Sequence, residues 1–170
     1  WPTTSVYGKG ADRNITITAA NTVVNNYTFL STNVSSGGST ITVNSSSGFS
    51  TGNQILIVQM QNYSAGNAGN YEFATMSSVN GNSFTLASGL TNSYFSGVFN
   101  STNALSTQVV RVPQYTNISV NPTASIVPSA WDGYKGGIVA FRATGMINVT
   151  GSINATAKGY RGGLGATAAV

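Results

Sequence analysis

Cysteine and histidine are both missing from this 170-residue chain, so disulfide, thiolate and imidazole chemistry are closed to it. The lack of disulfides does not fix a compartment, because a protein held by extensive sheet hydrogen bonding needs no bridges. Charge is scarce as well: seven Lys and Arg with three Asp and Glu make 6% of residues, against about 25% in an ordinary soluble domain. The bases are scattered, so the formal charge of +4 does not point to nucleic acid as a partner. No run approaches the length of a membrane-crossing apolar helix, so no transmembrane segment is expected, and no signal-peptide pattern is visible. In an exported chain, Trp1 would mark either a signal-cleavage point or the start of a processed fragment.

What fills the space is small and neutral: 22 Ser, 21 Thr, 19 Asn and 20 Gly, nearly half the chain. Such a composition alone would suit disorder, but 41% of residues are apolar, and Val, Ile, Phe and Tyr recur in alternating runs. A neutral surface of this kind tolerates changes of salt and pH and offers little charge repulsion between molecules. Self-association, or a coat of sugar, follows naturally.

The alternation predicts strands throughout. Ile15 to Thr18, Tyr27 to Leu30 and Thr40 to Val43 each read as half-buried β. Gln54 to Met60 is short, β-branched and bounded by turn residues, the mark of a central core strand. Tyr71 to Val79 and Ser83 to Leu86 flank Asn80-Gly81, a tight hairpin signal. Gln108 to Val112 ends at Pro113, and beyond it come short pieces at Ile118 to Val120, Ser125 to Val127, Gly137 to Phe141, Met146 to Val149 and Ile153 to Ala155. Their spacing suits a solenoid of short parallel strands or a Greek-key sandwich; the echo of Ile147-Asn148-Val149-Thr150-Gly151 in Ile153-Asn154-Ala155-Thr156 favours the solenoid. The expected fold is all-β: a short right-handed β-helix or β-sandwich-like core, with a small inserted antiparallel β-barrel or meander. Residues 1–35 and 107–163 would form the base, 36–94 the inserted module, 95–106 a connecting loop and 164–170 a tail.

Two resemblances sharpen this reading. The segment Ile41 to Tyr94, with Ser47-Gly48-Phe49, Gly52-Asn53, Ile55-Leu56-Ile57, Tyr71-Glu72 and Leu86-Ala87-Ser88-Gly89-Leu90-Thr91, resembles the small β module inserted near the start of many β-helical proteins, polysaccharide-lyase-like proteins and phage tailspikes among them. The longer pattern from Gly8-Lys9-Gly10-Ala11-Asp12 through Arg111-Val112-Pro113 and Ser129-Ala130-Trp131-Asp132-Gly133 to Lys158-Gly159-Tyr160-Arg161-Gly162-Gly163 is similar to N-terminal regions of glycine-rich bacterial cell-surface proteins. Both imply an exported protein with a β-helical base and an inserted module. Neither implies an active site, since the acidic and basic residues of the lyases lie on later coils with no counterpart here.

Candidate chemistry is thin. Glu72 with Asp12 or Asp132 would have to stand about 5 to 9.5 Å apart to hydrolyse a glycosidic bond, and nothing in the spacing brings them together. Asp132, between Trp131 and Gly133, reads as an Asx turn; structural calcium there would need several more oxygen ligands, and no other cofactor is indicated. Trp131, Tyr134, Lys135, Tyr160 and Arg161 are candidate glycan contacts, or else coil corners and caps over the apolar interior. Nine sequons, at Asn14, Asn26, Asn33, Asn44, Asn62, Asn100, Asn117, Asn148 and Asn154, are candidate N-glycosylation sites; equally, Asn, Ser and Thr simply populate β turns. Val23, Val24, Tyr27 and Phe29 pack either on an adjoining subunit or on the chain's own core. The reading that results is a non-catalytic structural subunit of an extracellular filament, sheath or surface adhesin, self-associating into a homopolymer. The alternative is a carbohydrate-binding or polysaccharide-processing β-helix fragment, which predicts exposed aromatics facing a groove.

Overall fold

The computed structural model describes residues 7–63, 66–97 and 105–160, and every regular element among them is a β-strand. In chain order, β1 (Ile15–Ile17) opens a coil. The next six strands, β2 (Tyr27–Phe29), β3 (Thr40–Thr42), β4 (Gln54–Asn62), β5 (Tyr71–Asn80), β6 (Ser83–Leu86) and β7 (Leu105–Val112), build one antiparallel sheet. The chain then returns to the coil with β8 (Gln114–Tyr115), β9 (Ile118–Val120), β10 (Ser125–Ile126), β11 (Arg142–Ala143), β12 (Ile147–Val149) and β13 (Ser152–Ile153).

The coil is a stack of parallel rungs. β9 lies between β1 and β12, so Ile15, Ile118 and Ile147 form one column and Ile17, Val120 and Val149 the next. β8 pairs with β11 and β10 with β13, also in parallel. The offset between second and third layers is 28 residues at Gln114↔Arg142, 29 at Ile118↔Ile147 and 27 at Ser125↔Ser152. This is solenoid geometry, in which each β-branched residue stacks on its like; Ile17, Tyr115, Ile118, Val120, Ala124 and Ile126 form the buried interior. Close stacking needs a small residue at the corner: a Cβ on Gly151 would stand 2.2 Å from the Ala124 carbonyl oxygen and 2.3 Å from that of Asn121.

The antiparallel sheet runs β2-β7-β4-β5-β6-β3 and curls until its ends meet. A Leu30↔Val43 bridge, with Ser31 N–H donating to Thr42 O (2.9 Å) and Asn44 N–H to Phe29 O (3.0 Å), closes it into a small barrel, which leaves no long unpaired edge. Ile55 and Ile57 of β4 point inward at 0% exposure, joined by Leu30, Ile41, Met76, Phe84, Tyr94 and Val109. The β5–β6 hairpin falls where Asn80-Gly81 places it. Of its turn residues only Gly81 takes a positive φ (54°), which fits a turn with glycine at its first central position.

The barrel takes in more chain than the 36–94 module expected from sequence. β2 and β7 belong to it, because β7 pairs with both β2 and β4 and so cannot serve the coil. The expected strand Gly137 to Phe141 does not form. That stretch instead links the two parts, with Tyr27 of the barrel bonded to Ile138 O and Val139 and Phe141 packed on the coil core, and side chains stand in for a strand partner: Asn25 Nδ2 donates to Ala140 O (2.6 Å), and its Oδ1 accepts Ala140 N–H (3.2 Å). Gln108 likewise accepts Gly136 N–H (2.7 Å) and donates to Gly136 O (3.2 Å). The expected tail, residues 164–170, lies outside the described residues.

Candidate functional site

Strand alternation on β5 sends Tyr71, Phe73 and Thr75 to the side away from the barrel core, while Met76 and the partly buried Ala74 face it. Tyr71 is 62% exposed and Phe73 43%, and their rings meet edge to face at 6.5 Å. The coil brings Arg142 of β11 against this pair, its guanidinium carbon 4.7 Å from the Phe73 centroid. An aromatic step with a cation beside it therefore sits where coil and barrel meet.

Two clefts open on the barrel, one of them bordered by Phe73. One, of about 190 Å³, lies between Ala11-Asp12 of the coil and Gly52, Asn53 and Gln54 of the barrel, with Gln114 at its wall. Its polar groups are fixed in advance. Asp12 pairs with Arg111 and accepts Gln114 N–H (2.7 Å); Arg111 Nε donates to Asn53 Oδ1 (3.0 Å); Gln114 Nε2 donates to Gln54 Oε1 (2.6 Å). A side lobe of this cleft reaches Lys9 and Thr75. The other cleft, about 240 Å³, is bounded by Glu72, Phe73 and Thr75 and by the 87–90 turn. There the Glu72 carboxylate accepts the N–H groups of Thr91 and Asn92, both at 2.9 Å.

Each carboxylate thus has a structural partner. Asp132 pairs with Lys135, and its Oδ1 accepts the N–H of Tyr134 and Lys135, each at 2.9 Å, which closes the Asx turn. Partial burial would raise its pKa, but the hydrogen bonds from Lys135 and the turn outweigh that and hold it below the usual carboxylate range. Among the described residues no group of three or more Asp or Glu gathers as a metal site would require.

The aromatics singled out from sequence gather elsewhere along the same junction. Trp131 and Tyr160 meet edge to face at 5.2 Å, and Tyr160 Oη, 40% exposed as a residue, accepts from Gln61 Nε2 (2.6 Å). Tyr134 stacks on Phe29 (4.7 Å), so Phe29 joins barrel to covering segment; Tyr27 does the same by donating its hydroxyl to Ile138 O (2.7 Å). Val24 packs on the coil core and Val23 is 43% exposed. Arg161 and Asn100 lie outside the described residues. Of the other sequon asparagines, Asn14, Asn26, Asn33, Asn44, Asn148 and Asn154 are exposed, and Asn62 and Asn117 are half-buried. Asn117 Nδ2 is already engaged with Asn14 Oδ1 (3.0 Å). Tyr71 and Phe73 are not among the aromatics that stand out beside bases; their signal is Tyr71-Glu72-Phe73-Ala74-Thr75, which puts two rings on one strand face.

No family model and no curated protein matches the chain. Among solved structures it is similar to the gp54 tailspike of Acinetobacter baumannii bacteriophage AP22, in complex with A. baumannii capsular saccharide, at 20% identity and a TM-score of 0.42, over 82% of this chain and 23% of that one. The gp61 tailspike of Pseudomonas phage phi297 gives 18% identity and a TM-score of 0.42, over 82% and 24%. The gp49 tailspike of Pseudomonas phage LKA1 gives 15% and 0.38, over 69% and 27%. The chain spans about a quarter of the length of these proteins, and likeness at this level carries neither activity nor ligand to it.

Proposed function

We propose that the chain is an extracellular carbohydrate-binding unit, and that a polysaccharide lies across β5 at the junction of coil and barrel. The observation that carries this reading is the exposed Tyr71–Phe73 pair, flanked by Arg142 and bordered at Phe73 by a cleft. Sugar rings offer apolar C–H faces to aromatic rings and hydroxyls to amide and carboxylate groups, and this surface supplies both kinds of partner. The low charge elsewhere suits a neutral or weakly acidic ligand that does not depend on ion pairs. Binding without a catalytic step fits the three carboxylates, each committed to a separate structural network. A filament joined through Val23, Val24, Tyr27 and Phe29 is less well supported, since Tyr27 and Phe29 are used inside the chain.

Isothermal titration against a panel of neutral and acidic polysaccharide fragments tests the reading. Tyr71→Ala and Phe73→Ala are each expected to weaken binding about tenfold, or ~1.4 kcal/mol, with the fold intact. Unchanged affinity in both variants, or no binding to any fragment, would sink it.

A further inference from the structure

The cleft between coil and barrel is selective in what it leaves unbonded. Backbone donors fix which way its amides point. Lys9 N–H donates to Gln114 Oε1 (2.9 Å), so the other atom of that amide is Nε2, and the Gln54 atom it meets at 2.6 Å is an oxygen. Ser50 N–H (2.9 Å) and Arg111 Nε (3.0 Å) both donate to Asn53 Oδ1. Asp12 places one carboxylate oxygen on Arg111 and accepts Gln114 N–H (2.7 Å) with the other. Each side-chain oxygen of Asp12, Asn53, Gln54 and Gln114 therefore already accepts a hydrogen bond. Asn53 Nδ2 and Gln54 Nε2 are left as donors without a partner among the described residues.

Charge adds the same bias. Asp12 and Arg111 offset each other, while Lys9, exposed where it lines the side lobe, pairs with no carboxylate among the described residues. Unused donors, occupied acceptors and one unpaired cation together suit a group that only accepts and carries a single negative charge. We propose, on the reading that a polysaccharide crosses β5, that this cleft takes the carboxylate of an acidic sugar, held by Asn53 Nδ2, Gln54 Nε2 and the Lys9 ammonium. A neutral hydroxyl could accept from the same donors, but its own proton would meet no unoccupied oxygen on these four side chains. β5 joins the two parts of the site. Thr75 lines both the side lobe and the cleft bordered by Phe73. It shares the strand face of Tyr71 and Phe73 and stands about 7 Å beyond Phe73 along the strand. A sugar ring on Phe73 thus leads directly to a carboxylate beside Lys9 and Gln54.

Titrating the isotope-labelled chain with D-glucuronate and D-galacturonate, against D-glucose and D-galactose, isolates the carboxylate. The side-chain amide NMR signals of Asn53 and Gln54 are expected to shift with the two acids and to stay in place with the neutral sugars. Gln54→Glu keeps the oxygen that Gln114 Nε2 reaches and turns the unused donor into a second carboxylate oxygen, so it should weaken uronate binding about tenfold. Lys9→Gln, at an exposed position, should weaken it about threefold. Equal shifts with acids and neutral sugars, no shift at either amide, or uronate affinity unmoved by both substitutions would overturn the proposal. Any of these could occur while the Tyr71 and Phe73 rings still respond to longer fragments, in which case the polysaccharide reading stands without a carboxylate site. Uronate shifts at Asn53 and Gln54, with both rings silent toward every fragment, would instead keep the carboxylate site and remove β5 as the path to it.

Discussion

At the scale of single residues, buried amides hold the two parts of this molecule together. Asn25, 6% exposed, makes three bonds that regular structure would otherwise supply: Nδ2 donates to Arg111 O and Ala140 O, and Oδ1 accepts Ala140 N–H. Gln59, at 0%, does the same for the bulged end of β4, donating to Gln61 O and Phe95 O and accepting Phe95 N–H. Removing such a group strands buried backbone partners, so Asn25→Ala should cost about 2–3 kcal/mol in urea unfolding; a loss under 0.5 kcal/mol would show that water replaces it freely. Tyr27 yields a second expectation. Burial raises its hydroxyl pKa from 10.0 to about 12, so the folded state holds that proton more tightly than the unfolded one. Its contribution is complete below pH 10 and is lost as pH rises toward about 12. Tyr27→Phe should flatten the fall in stability over that window, and an unchanged slope would assign the effect to other tyrosines.

At the scale of elements, local pattern and tertiary demand part company in instructive places. β4, β6 and the hairpin before it were legible because alternation and a glycine turn are local signals. The sequence marks Gln108 to Val112 of β7 as a strand but not as part of the barrel, since its buried run Ser106-Thr107-Gln108-Val109-Val110 does not say which sheet it enters. Ile138 to Phe141 carries strand-like residues, yet Gly136 and Gly137 (φ 106° and 74°) turn the chain just before it, Val139 and Phe141 pack on the coil core, and Tyr27 and Asn25 bond Ile138 and Ala140. Such side-chain substitution for a ladder leaves no periodic trace. The site was half legible for the same reason: Trp131 and Tyr160 stand out as aromatics near bases, whereas Phe73 matters because a residue 69 positions later, Arg142, arrives beside it. The rungs give their own prediction. Gly151→Ala forces a Cβ against two carbonyl oxygens of the layer below, and should lift β12 and β13, seen as faster amide exchange at Asn148 and Thr150 with β4 and β7 unaffected; unchanged exchange would mean the corner yields without cost.

At the scale of the whole molecule, the design is a closed barrel seated on a short stack of parallel rungs, with a surface poor in charge and an exposed aromatic step where the two meet. We propose that this step is where a sugar chain binds. The most direct test of the central claim is an aromatic-ring NMR titration of the chain with the tightest-binding polysaccharide fragment. The account predicts shifts of the Tyr71 and Phe73 ring signals while Phe84 and Tyr94, buried in the barrel at 0% exposure, stay in place. Shifts confined to Trp131 and Tyr160, or none at any ring, would contradict it.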